Sequence, residues 1–146
     1  MANLPNHPET APILTEAELL RMPASEFMSP RQLAYFRKCL LELRDELLRE
    51  SDPVWPALAD AGAPADLADR ASLEEEQSRM LGLRNRERKL MAHIEAALMR
   101  IEAGTYGFCE DTGEPIGLRR LLARPMAGLT LEAQQRREHQ KSTYEA

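Results

Sequence analysis

Apolar residues fall into two long helical stripes separated by a proline-rich gap. In the first stripe Leu33, Phe36, Leu40, Leu43 and Leu47 recur at spacings of three and four, a heptad seam that packs on another helix. Ser29, Pro30 and Gln32 predict its start, as cap, first-turn proline and N3 side chain reaching back to the cap. It runs to about Ser51, beyond which Pro53 and Pro56 break or kink the helix. The second stripe opens at Asp66 and carries Leu73, Met80, Leu83, Leu90, Ile94, Ala97 and Ile101, with Glu87 interrupting it. It stops before Gly104, a residue type suited to the position after a helix end. About 38 helical residues at about 1.5 Å each make a rod of roughly 55 Å. Two seams joined by one connection bury each other only by folding back antiparallel. The pattern therefore predicts a helical hairpin over 29–103, with its tip near 52–71.

The flanking regions read as smaller units. Residues 1–28 form an N-terminal segment, of which 1–14 are rich in proline and polar groups and expected to lack fixed structure. Thr15 and Glu18 then form a capping box for a short helix to about Met22. Residues 104–129 predict a compact knob whose apolar set is Tyr106, Phe108, Ile116, Leu118, Leu121 and Leu129. Thr130 caps a last helix within 130–146. The fold class is mainly α.

Composition narrows the classes of function. Aromatics make up only 5% of the 146 residues, which favours long helices over a sandwich or barrel. A net charge of -5 argues against nucleic-acid binding driven by bulk charge. Cys39 and Cys109 alone give no disulfide framework, so a reducing, cytoplasmic location is expected. No run of about 18 apolar residues suggests a membrane span, and the N-terminus lacks the pattern of a signal peptide.

Four groups of residues carry candidate chemistry. The segment from Gly104 to Pro125 has the frame of a zinc knuckle, but Cys109 and Thr112 hold the C-x-x-C spacing with one thiol, and Thr130 and Ala133 offer none. A structural zinc needs four Cys or His ligands, so no metal is expected. Asp66 and Asp69 stand at the start of the second helix, where they suit capping and the helix dipole and also present two carboxylates at the end of a rod. No pocket is expected around a hairpin tip, which argues against an enzyme. Arg84, Arg86, Arg88 and Lys89 read either as a solvated face or as a docking face. Arg119, Arg120 and Arg124, with Arg136 and Arg137 beyond, are either a solubilising surface or a receiver of phosphate oxygens.

The runs QLAYFRKCL, DLADRASLEEE, RNRERKL and YGFCEDTGEPIGLRRLLARPMAGLTLEA together resemble the DksA family of bacterial transcription factors, over about residues 28–140. The resemblance implies a coiled-coil hairpin that enters the secondary channel of RNA polymerase, a zinc-finger-like region, a C-terminal helix and no enzyme activity. It also implies action as a monomer, without sequence-specific DNA binding, and joint action with the alarmone ppGpp on ribosomal RNA promoters. The family's tip motif D-x-x-D-x-A falls on Asp66, Asp69 and Ala71. Its polymerase-binding arginine falls on Arg86, and its ppGpp site on His93, Arg124 and Gln134. Of these last three only Arg124 keeps the family's basic type; His93 and Gln134 stand where lysines are usual. Thr112, Thr130 and Ala133 replace three zinc ligands, which marks a zinc-independent branch. A Gre-like transcript-cleavage factor and a DNA-binding regulator are the competing readings.

Overall fold

The computed structural model describes residues 12–50 and 66–145. The predicted connection at 52–65, with Pro53 and Pro56, lies outside them, as do residues 1–11 of the N-terminal segment. Five α-helices are seen among the described residues: α1 Glu16–Arg21, α2 Pro30–Glu50, α3 Leu67–Ala103, α4 Leu118–Ala123 and α5 Leu131–Glu145, with a 3-10 turn at Ala24–Glu26. Helices α2 and α3 pack on each other as the antiparallel arms of the hairpin.

Local chemistry sets the helix ends. Thr15 accepts from the Glu18 N–H at 3.2 Å and begins α1. Asp66 accepts from the Ala68 N–H at 3.1 Å and caps α3. At the other end of α3, Gly104 sits at φ 80°, in the left-handed region that glycine enters without steric cost, and its N–H closes on the Arg100 and Ile101 carbonyls. Thr130 accepts from the Ala133 N–H at 3.2 Å and opens α5.

The start of α2 differs from the expected capping box. The Ser29 hydroxyl is buried and has no hydrogen-bond partner. Gln32 does not reach back to Ser29; its fully buried amide oxygen accepts from the Met28 N–H at 3.0 Å, and its Nε2 points at the Met22 sulfur. Packing overrides the local pattern here. The segment before α2 lies against the knob, so the glutamine is drawn inward.

The seam on α3 is also out of phase with the expectation. Ile94 and Ala97 are fully buried, but Leu83 is 44% exposed and Leu90 38% exposed. A run of buried and half-buried positions, Leu73, Gln77, Met80, Arg84, Glu87, Met91, Ile94, Leu98 and Ile101, alternates cleanly by four and three, with Ala97 buried beside it. The middle of the rod therefore turns Arg84 and Glu87 part-way inward and leaves Leu81, Leu83 and Leu90 exposed.

The core lies where the hairpin base, the N-terminal segment and the knob meet. It contains Leu14, Leu19, Phe36, Leu40, Ile94, Ala97, Tyr106 and Leu121. Tyr106 joins two of these parts. Its ring leans on Phe36 at 5.6 Å between centroids, and its hydroxyl donates to the Pro125 carbonyl at 2.7 Å. Burial pushes its phenol well above the ordinary range, so it remains a donor at any physiological pH.

Candidate polymerase-binding site and the zinc-finger-like knob

Asp66, Asp69 and Ala71 are exposed in the first turns of α3. Asp66 is the cap itself, while Asp69 faces solvent in the first turn. Further along the same helix Leu83, Arg86, Leu90 and His93 are spaced three, four and three apart and are all exposed. That spacing puts them on one stripe. Leucines 44% and 38% exposed on either side of Arg86 are the anatomy of a docking face, an apolar strip with a guanidinium set in it. Sequence reading placed both leucines in the seam. The signal that separates them is the unbroken four–three alternation of the true seam, which runs through two charged residues.

Arg124 ends α4 and is exposed. It lines an open cleft of about 1110 Å³ together with Arg119 and Arg120, over a floor that includes Phe27 and Leu118. His93 and Gln134 do not line that cleft. Gln134 is half-buried on α5: its amide oxygen accepts from Arg120 Nη2 at 2.5 Å and its Nε2 donates to Glu138 at 2.9 Å.

The four positions of the zinc frame do converge. Cys109 is 3% exposed and Ala133 is 1% exposed. The Thr130 hydroxyl donates to the Cys109 sulfur at 3.8 Å while accepting from the Ala133 N–H. The loop around Cys109 closes as a knuckle, with its N–H on the Glu114 carbonyl and its own carbonyl accepting from Gly113, both at 2.8 Å. Burial pushes the thiol up, but hydrogen bonds from the Thr112 side chain and from the backbone at Thr130, Thr112 and Asp111 outweigh it and bring the pKa down to about 6. One thiolate, two hydroxyls and a methyl group do not fit zinc. No group of three or more His, Cys, Asp or Glu that could hold a metal stands together among the described residues.

Direct bonds also tie the knob to its neighbouring helices. Arg137 of α5 pairs bidentately with Asp111, its Nε on Oδ2 at 2.8 Å and its Nη2 on Oδ1. This pairing draws the Asp111 carboxyl below its ordinary range. Arg120 Nε donates to the Leu129 carbonyl at 2.9 Å. Arg100, near the end of α3, donates to the Met126 carbonyl at 3.2 Å and lies 3.4 Å from Glu110.

Comparison with known proteins agrees with this architecture. Residues 32–101 match the DnaK suppressor protein DksA N-terminal domain, and residues 104–139 match the prokaryotic dksA/traR C4-type zinc finger. The chain belongs to the DksA family. It is 46% identical over 138 residues to the RNA polymerase-binding transcription factor DksA of Caulobacter vibrioides, covering 93% of this chain and 97% of that protein. It is 43% identical over 111 residues to the factor of the same name from Escherichia coli K12, covering 75% and 74%. The structure of transcription factor DksA2 from Pseudomonas aeruginosa superposes with a TM-score of 0.74 at 44% identity, covering 88% of this chain and 99% of that one. The family's finger is of the four-cysteine type, whereas this DksA-family chain has one cysteine in the matched region.

Proposed function

We propose that this chain is a transcription regulator that binds RNA polymerase, inserts the tip of its hairpin in the secondary channel, and modulates promoter complexes together with ppGpp. The observation that carries the reading is the exposed stripe Leu83, Arg86, Leu90 and His93. It lies on the single helix that joins the acidic end, Asp66 and Asp69, to the knob. A helix that exposes leucines beside an arginine, while turning charges inward, is built to dock on a partner. The naming of relatives at 43–46% identity as polymerase-binding factors supports polymerase as that partner.

In this reading Arg86 anchors the helix on polymerase. Asp69 and Ala71 are presented to the interior of the channel, and Asp66 does the same while holding the first turn. The chain carries out no reaction of its own, acts as a cytoplasmic monomer and makes no sequence-specific contact with DNA. His93, Arg124 and Gln134 border the alarmone site, and Arg124 is the permanent cation of the three. The knob folds without zinc, held by the Thr130–Cys109 contact and the Arg137–Asp111 pair.

In vitro transcription from a ribosomal promoter, with purified polymerase and graded ppGpp, tests this. Wild type inhibits, and ppGpp deepens the inhibition. Asp69→Asn keeps the size of the side chain, removes its charge and leaves the Asp66 cap in place, so it is expected to bind polymerase and melt as wild type does, yet to lose the effect on the promoter. Undiminished inhibition by Asp69→Asn would reduce the tip acids to helix capping. Stimulated cleavage of stalled transcripts would favour the Gre-like reading instead.

A further inference from the structure

The base of the hairpin carries an open apolar groove of about 610 Å³. It runs along α2 from Pro30 to Asp45, about 22 Å of helix. Its floor is Leu33, Ala34 and Leu41 of α2, Ile101 of α3 and, ahead of α1, Ile13. The first four are half-buried, while Ile13 is 47% exposed. Arg37 and Lys38 stand exposed on the rim, where Lys38 also lies 3.7 Å from Glu42. Ile13 brings the chain to this groove, and the next residue, Leu14, is buried in the core. Ahead of them come residues 1–11, which lie outside the described residues and whose sequence has a period of its own. Ala2, Pro5, Pro8, Ala11 and Leu14 recur at every third position and are all apolar. Asn3, Asn6 and Glu9 follow the same period and are all polar. Three residues is the repeat of a polyproline II helix, the conformation that proline favours and that makes no hydrogen bonds within itself.

We propose that residues 2–11 dock in this groove as a polyproline II strap, with the apolar edge on Leu33, Leu41 and Ile101 and the polar edge toward water. Reach, period and charge each favour this occupant. At about 3.1 Å per residue, the stretch from Pro5 to Ile13 covers about 25 Å, the length of the groove. The edge that carries Pro5 and Pro8 is the one that delivers Leu14 to the core, so the strap meets the groove with that edge turned inward. Glu9, the acidic residue of the segment, comes to the basic rim at Arg37 and Lys38. Docking a proline-rich segment costs little conformational freedom, because its φ angles are preset. The strap ties the start of the chain to both arms of the hairpin and covers an apolar floor that otherwise invites another molecule.

Nuclear magnetic resonance on the full-length chain tests this. Mixing isotope-labelled with unlabelled protein separates contacts within one molecule from contacts between two. Cross-peaks are expected from the Pro5 and Pro8 ring protons to the methyl groups of Leu33, Leu41 and Ile101, all within one molecule. Pro8→Asp alters no residue of the core. It is expected to abolish these cross-peaks and to lower the melting temperature by about 2 °C, as for loss of a surface contact. Leu41→Asp, from the groove side, should abolish them as well. Lys38→Glu should weaken them about twofold, and adding Glu9→Lys should restore them, which a merely loosened α2 would not do. Absence of the cross-peaks in wild type would overturn the strap. So would cross-peaks found only between molecules, which would assign the groove to a second copy. Cross-peaks that survive both Pro8→Asp and Leu41→Asp would overturn it too.

Discussion

Gly107 shows how tightly single residues are specified at the junction of knob and N-terminal segment. Its φ of 90° lies in the left-handed region, and a Cβ there would meet the Sδ and Cγ of Met28. Met28 itself sits at φ 57°, an uncommon place for a methionine. The two residues are shaped to each other. Gly107→Ala is expected to cost about 2 kcal/mol or more, from backbone strain and overpacking, read as a lowered melting temperature in circular dichroism. Cys109 sets a second residue-scale expectation. Its pKa falls from 9.0 in the free thiol to about 6 in the fold. A depressed acid group adds stability that is complete above the unfolded value and disappears as pH falls through the folded one. The melting temperature should therefore climb between about pH 6 and pH 9, and Cys109→Ser should flatten that slope. A slope identical in the variant would show that the thiolate contributes nothing.

Helices were the most legible part of the chain, and the reason lies in their ends. Thr15, Asp66, Gly104 and Thr130 each satisfy orphan backbone groups by strictly local bonds, so sequence alone marks them. The seam was less legible, because a leucine on a solvent face and a leucine in a seam are the same letter. Only packing on the partner helix distinguishes them, and in the middle of α3 the half-buried positions are Arg84 and Glu87. Ser29 and Gln32 misled in the same way: a good capping pattern gave way to the burial of Gln32 against Met22 and Met28 of the N-terminal segment. The outer placement of Leu83 and Leu90 leads to a prediction at this scale. Leu83→Lys or Leu90→Lys should shift the melting temperature by no more than a degree or two, since surface changes seldom exceed about 0.5 kcal/mol. Binding to polymerase should weaken about tenfold or more in competition assays. Unfolding of either variant would return these leucines to the core.

At the scale of the molecule, the candidate site was half legible. The tip acids stood out as a carboxylate pair at a helix start and Arg86 and Arg124 were picked out of their basic runs only by the resemblance to the DksA family, but the bracing of Arg120 by Gln134 joins residues on two helices and needs the fold. The absence of a zinc donor set was plain from cysteine count; what holds the knob in its place was not, since Arg137–Asp111 and Arg100–Met126 are contacts across 26 residues. Purified protein should carry well under one zinc per chain by elemental analysis, and chelator should leave its melting unchanged. Stoichiometric zinc, or unfolding in chelator, would contradict the metal-free knob. The run of α3 from Leu67 to Ala103 without a break has a mechanical meaning as well. The helix is a pointer about 55 Å long, packed on α2, tied to the knob near one end by the Arg100 contacts and carrying the two aspartates at the other. A turn of only about 5° at the grip swings the far end by roughly 5 Å, more than the width of a carboxylate. Where the two aspartates arrive is thus decided less by their own surroundings than by how stiffly the opposite end of the helix is held.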